Sequence, residues 1–169
     1  YNIYVIKRKE MNCMKKVKYL CFDMDGTIAD LYGVIDWLPM LRAELPTPYK
    51  TAKPMWDMLR LKKALEKAQA QGIEVCVITW LSMNSSKYFK RVSRKAKVEW
   101  LKVNNFPYDR FFAVQYGTTK ANSIRKIVEE NESAILFDDN EKIRKGWHLG
   151  ETVDPTTTDI IEFIERLVE

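Results

Sequence analysis

An apolar run over residues 17–22, broken only by Lys18, ends in Asp23-Met24-Asp25-Gly26-Thr27-Ile28-Ala29-Asp30. A run of that length closed by turn residues reads as a buried strand. Two carboxylates at i and i+2, where strand gives way to turn, can converge on one cation. Gly26 lets the backbone pass close to an anion with no Cβ in the way. An Asp pair with a divalent cation suits phosphoryl transfer: one carboxylate attacks phosphorus, the other manages a proton, and the metal offsets the negative charge. Alone, the pattern is also an ordinary acidic turn, so the weight falls on the rest of the chain. An EF-hand loop is excluded, because it wants an oxygen ligand at its fifth position and Gly at its sixth. Counting from Asp23, Gly26 is fourth and Ile28 sixth.

Downstream, the hydrophobic pattern switches period repeatedly. Residues 31–54 form a small insert, with a short helix suggested around Val34, Trp37, Leu38 and Leu41. Pro46, Pro48 and Pro54 then impose an extended, irregular return. Helical spacing over 55–71 stops at Gly72, and 73–78 is a β-branched buried strand ending at Thr79. A basic helix over 84–103 turns Phe89, Val92, Ala96 and Trp100 inward, with Lys87, Lys90, Arg91, Arg94, Lys95 and Lys97 outward. A third strand over 110–116 leads to a helix over 120–130 that Thr119 would cap. A fourth strand, 133–137, ends in Asp138-Asp139. A short strand near Thr152 and Val153 and a helix over 159–168, opened by Asp159-x-x-Glu162, complete the chain. Strands alternating with helices predict an α/β fold: a Rossmann-like three-layer sandwich around a mainly parallel sheet of about five strands.

At 169 residues the chain is one domain of ordinary size, 17–169, preceded by an extension over 1–16. An extra edge strand over 3–6 is one reading of that extension, and Met11 and Met14 lie just before the strand over 17–22. No apolar stretch reaches the roughly 20 residues of a membrane helix, and no secretory pattern is visible. Cys13, Cys21 and Cys76 lack metal-ligand spacing, and the last two sit in apolar runs as buried thiols of a cytoplasmic protein. With His148 the one histidine, zinc sites and Ser/His/Asp triads drop out. The net charge of +5 is uneven: residues 84–110 hold eight basic and two acidic side chains, residues 129–169 four and twelve. The basic helix is either a solvated face or a polyanion surface.

In open α/β sheets ligands bind beyond the carboxyl ends of the strands. Asp23 and Asp25, Thr79, and Asp138 and Asp139 all fall at predicted strand ends, and Lys120 opens the helix after the third. This ordered set resembles the four motifs of the haloacid dehalogenase (HAD) superfamily, from residue 17 onward. A receiver domain uses similar groups, but with the acid pair first; here it is last. The longer string Phe22 to Asp30, with Tyr32 and Trp37 following, is similar to the 5′(3′)-deoxyribonucleotidase branch.

The resemblance implies a Mg²⁺-dependent phosphohydrolase with a role for each residue. Asp23 would be the nucleophile and Asp25 the acid and base, its Asp setting it apart from the dehalogenase and phosphonatase branches. Thr79 would donate to a phosphoryl oxygen, and Lys120 would neutralise phosphate and nucleophile. Asp23, the Met24 carbonyl and Asp138 or Asp139 would hold the metal, with Asp139 favoured as the direct ligand and Asp25 contributing through its backbone or at one remove. Gly26, Thr27, Tyr32, Trp37 and Trp80 are the expected substrate contacts, the aromatics stacking on a base. Asp30 is structural. The insert is a minimal cap, so the site should be open, suiting a large substrate or a second subunit lending a cap. A small phosphate ester such as a (deoxy)nucleoside monophosphate leads. A phosphorylated protein or nucleic-acid end, a silent binding module of the same fold, and transfer to an alcohol instead of water remain the alternatives.

Overall fold

The computed structural model describes residues 15–169, so the expected 3–6 strand and Cys13 lie outside it. Five strands form one wholly parallel sheet: β1 (Lys16–Phe22), β4 (Glu74–Leu81), β5 (Arg110–Gln115), β6 (Glu132–Phe137) and β7 (Thr152–Val153), in the order β5-β4-β1-β6-β7. The chain leaves the central β1 toward β4 on one side and later returns to β6 on the other. That reversal opens a crevice at the carboxyl end of β1, where such sheets bind ligands. The α/β, Rossmann-like architecture expected from the sequence is therefore present.

Period-2 alternation sorts the sheet residues between two cores. Leu20, Phe22, Val75, Val77, Ile135 and Phe137 meet Leu61, Leu65, Trp100, Ile160 and Ile164 on one face. Tyr19, Cys21, Cys76, Ile78 and Leu136 meet Ile124 and Trp147 on the other. Cys21 and Cys76 are both buried and free, opposite one another in the β1–β4 register.

The first face is covered by three helices: α3 (Met58–Ala70), α4 (Lys87–Val103) and α6 (Ile160–Leu167). Each starts later than the periodicity alone suggests, at a side-chain cap. Asp57 accepts from Leu59 and Arg60 N, Ser86 from Phe89 N, and Asp159 from Ile161 and Glu162 N. The opposite face departs from expectation. Only a 3₁₀ turn, Lys120–Ser123, stands where a helix over 120–130 was predicted, and Thr119 makes no side-chain cap. The β-branched Ile124, Ile127 and Val128 lose rotamer freedom in a helix, and the segment has no side-chain cap, so regular helix does not form beyond this turn. The fourth-strand boundary and the α5 helix (Glu141–Lys145) after it complete this layer.

The insert is built on a two-residue antiparallel ladder, β2 (Ala29–Asp30) with β3 (Lys53–Pro54). Between them run α1 (Trp37–Arg42) and α2 (Thr47–Thr51). The second helix corrects the expected irregular return. Pro48 sits in its first turn, where a missing N–H costs nothing, and Pro54 lies in a strand only two residues long. Among the described residues no helix is long and apolar enough to cross a membrane.

Candidate active site

Asp23 is the first residue beyond β1, and its N–H donates to Phe137 O at 2.9 Å, extending the β1–β6 pairing by one step. Asp138 is likewise the first residue beyond β6. The parallel register thus sets two carboxylates side by side, and Lys120 reaches up between them. Its Nζ lies 2.6 Å from Asp23 Oδ1 and 2.7 Å from Asp138 Oδ2. Burial alone would lower the Lys120 ammonium, but Asp23 and Asp138 outweigh it and hold the group above its ordinary value. Burial first, and Asp23 second, push Asp138 and Asp139 each up to about 6.

Asp23, Asp138 and Asp139 each present an oxygen within 4.8 Å of the other two. This all-oxygen donor set, two carboxylates buried and Asp139 half-buried, fits a hard cation such as Mg²⁺. The turn leaves room for it. Gly26 has φ +83°, and a Cβ there would lie 2.7 Å from Asp139 Oδ2 and 2.5 Å from Tyr32 Cε2. Asp138 already accepts from Lys120 and, through Oδ1, from Asn140 N at 2.9 Å. No other side chain hydrogen-bonds the Asp139 carboxylate among the described residues.

Two expectations are corrected in this turn. The Met24 carbonyl, expected at the metal, accepts instead from the N–H groups of Thr27, Ile28 and Ala29. Its lone pairs are consumed in closing the turn. Thr27, expected against substrate, is fully buried. Its hydroxyl accepts from Asp139 N at 3.2 Å and its carbonyl from Trp56 Nε1 at 2.7 Å, so it ties the two acidic loops together. Asp30 is structural as expected, accepting from Gly33 N at 2.9 Å.

Thr79 lies inside β4, which runs two residues further than the sequence suggested, and is fully buried. Its Oγ1 accepts from Lys97 Nζ at 2.9 Å. Lys97, placed on the solvent face by the basic pattern, is 0% exposed. It also forms an ion pair with Asp25 Oδ2 and stacks over the Tyr49 ring at 4.3 Å. Burial raises the Asp25 carboxyl more than Lys97 lowers it, and Asp23 adds to the rise. The missed signal was position: Lys97 falls four residues after Ser93 and four before Leu101, both buried on one stripe of α4. Of the other basic residues predicted outward, Lys87, Arg91, Arg94 and Lys95 are exposed and Lys90 is half-buried.

Asp23 and Asp25 line a cleft of about 490 Å³ walled by the insert on one side and the end of β4 on the other. Tyr32 and Trp37 form an edge-to-face pair, with centroids 5.1 Å apart, and Trp80 and Tyr116 a tilted pair at 4.6 Å. Trp80 is fixed by Nε1 donating to Thr118 O at 3.0 Å. Arg42 is the basic residue of the lining, and neither Gly26 nor Thr27 reaches it. The expected aromatic contacts thus gather at one cleft, together with Tyr116, which the sequence did not single out.

No protein-family model matches the chain, and no curated protein matches it. Among solved structures it is similar to a chain of the Pnkp1/Rnl/Hen1 RNA repair complex, at 15% identity and a TM-score of 0.55, over 85% of this chain and 43% of that one. It is also similar to D,D-heptose 1,7-bisphosphate phosphatase from Burkholderia thailandensis, at 15% identity and a TM-score of 0.49, over 79% of this chain and 74% of that one. This chain spans less than half the length of the RNA-repair chain. The likeness to that chain is one of fold.

Proposed function

We propose that this chain is a Mg²⁺-dependent phosphohydrolase of the HAD type that works through an aspartyl-phosphate. The observation that carries the reading is Lys120, whose buried ammonium joins Asp23 to Asp138 beside Asp139, while Asp23 itself lines one cleft together with Asp25. Asp23, Asp138 and Asp139 would hold the metal, with Asp139 the freest carboxylate. The Asp25 carbonyl, which takes no part in closing the turn, would join them. Bound there, Mg²⁺ supplies charge neutralisation and polarises a phosphoryl oxygen.

The chain's own residues divide the work. Asp23 attacks phosphorus, Asp25 gives a proton to the departing oxygen and later takes one from water, Thr79 donates to a phosphoryl oxygen, and Lys120 balances charge. The aromatic pairs on either side of the cleft support a (deoxy)nucleoside monophosphate as substrate, its base stacked on Tyr32, Trp37 or Trp80. A second reading, a phosphorylated nucleic-acid or protein end, is favoured by one observation. The exposed basic face of α4 begins five residues beyond Ser82, which lines the cleft.

The test is hydrolysis of p-nitrophenyl phosphate with Mg²⁺, followed by a panel of deoxynucleoside monophosphates and phosphorylated oligonucleotides. Turnover that disappears in Asp23→Asn supports the enzyme, and the preferred member of the panel separates the two substrate classes. No turnover on any of them in the wild-type chain would instead favour a binding module.

A further inference from the structure

Four carboxylates crowd this site, and two buried lysines sort them. Lys120 holds Asp23 and Asp138. Lys97, from a different element, holds Asp25, which stands outside the group of three whose oxygens converge. An ammonium that is fully buried must be matched on every side. Lys97 is met by Asp25 Oδ2, by Thr79 Oγ1 and by the face of Tyr49 from the insert. A lysine has donors only, so Thr79 Oγ1 can only accept from it. The Thr79 hydroxyl proton is thereby turned away from Lys97, and it has no other side-chain partner among the described residues.

We propose that Lys97 is the positioning residue for proton transfer at this site. It clamps the Asp25 carboxyl apart from the Asp23, Asp138 and Asp139 group, toward the leaving oxygen. The inference rests on the phosphohydrolase reading. In the first half-reaction Asp23 forms a bond to phosphorus, the bond to the leaving oxygen breaks, and the Asp25 proton passes to that oxygen. In the second, water attacks phosphorus, its proton returns to Asp25, and the Asp23–phosphorus bond breaks to release phosphate. Lys97 neither gains nor loses a proton in either half.

A positioning role for the proton donor makes a prediction that packing does not. A leaving group that needs a proton suffers more than one that departs as a stable anion. Lys97→Met is therefore compared with wild type on phenyl phosphate and p-nitrophenyl phosphate, aryl esters that differ in the para nitro group that stabilises the departing anion. The expected loss in kcat is about 100-fold or more on phenyl phosphate and under about 10-fold on p-nitrophenyl phosphate, using the usual range for acid–base assistance. The same substitution is then made in an Asp25→Asn background, which removes the carboxylate left without a partner. If Lys97 acts through Asp25, the double variant loses little more than Asp25→Asn alone. Equal losses on both esters, or losses that multiply in the double variant, overturn the proposal while leaving the phosphohydrolase intact. Absence of wild-type turnover on both esters instead overturns the phosphohydrolase reading, and this proposal with it.

Discussion

The β6 side of the site and the α4 side are built on opposite principles. On the β6 side, Asp23, Asp138 and Asp139 stand at or just beyond strand ends, and the β1–β6 register sets them side by side. On the α4 side, Lys97 reaches Asp25 and Thr79 from the middle of a 17-residue helix. Its placement depends on helical phase and on an insert that supplies Tyr49. The first half is a consequence of topology; the second is a consequence of packing. Sheet register tolerates much sequence change around it, whereas a buried lysine on a helix depends on each neighbour that matches its charge.

The largest expected effect tests the topological half. Asp23→Asn removes the only carboxylate positioned both by β1 and by Lys120, and turnover of p-nitrophenyl phosphate should fall by about 10⁴-fold or more. Chelation of Mg²⁺ should produce a comparable loss, restored by adding the metal back. Retention of activity in either experiment would mean that the converging carboxylates do something else.

The next effect compares the two lysines directly, and its readout is stability. Lys120→Met strands Asp23 and Asp138, both nearly excluded from water, and should cost about 3–5 kcal/mol by chemical denaturation. Lys97→Met strands one carboxylate, Asp25, whose side chain retains 16% of its exposure and can recruit water, and removes one hydrogen bond to the neutral Thr79 hydroxyl. Its cost should be the smaller of the two. The reverse ranking would show that the α4 side carries more of the fold than the β6 side does.

This contrast also explains what could be read from the sequence. The five parallel strands, the acidic strand ends, Lys120 and the wall aromatics Tyr32, Trp37 and Trp80, though not Tyr116, were legible, because apolar runs and their abrupt ends report strand positions independently of tertiary context. Lys97 was hidden because a run of six basic residues on one helix reads as a solvated face, and only the burial of Ser93 and Leu101 on either side reveals its phase. The collapse of the predicted 120–130 helix to a single 3₁₀ turn was hidden for a related reason. Ile124 is buried against the sheet at a spacing that suits either conformation, and the missing cap at Thr119 is visible only in coordinates. The Met24 carbonyl was misassigned because turn closure consumes it, a backbone detail that residue identities do not carry.

A mid-sized effect comes from the acidic turn itself. Gly26→Ala places a Cβ against Asp139 and Tyr32 in a left-handed conformation that only Gly adopts cheaply. It should cost about 1–3 kcal/mol of stability and weaken Mg²⁺ binding measured by calorimetry. Unchanged metal affinity would remove Asp139 from the ligand set and leave the turn as a structural feature only.

The smallest effect concerns the brace behind Asp138. Arg144 donates to Asp138 O at 2.7 Å and to Asp154 Oδ2 at 2.5 Å, so the outer carboxylate steadies the residue that carries the inner one. Burial alone would raise Asp154, but hydrogen bonds from Thr156 and the charge of Arg144 outweigh it and hold the group below its ordinary value. A carboxyl lowered in the folded state stabilises above its unfolded pKa, near 3.9, and loses that contribution as pH falls through the folded value. Asp154→Asn should therefore cost under about 1 kcal/mol at pH 7, since the pair is partly exposed. The gap between variant and wild type should close as the pH is lowered below about 4. A gap that persists in acid would place the contribution of Asp154 in its hydrogen bonds from Thr156 rather than in its charge, and would remove the ionic link from the α5 brace to Asp138.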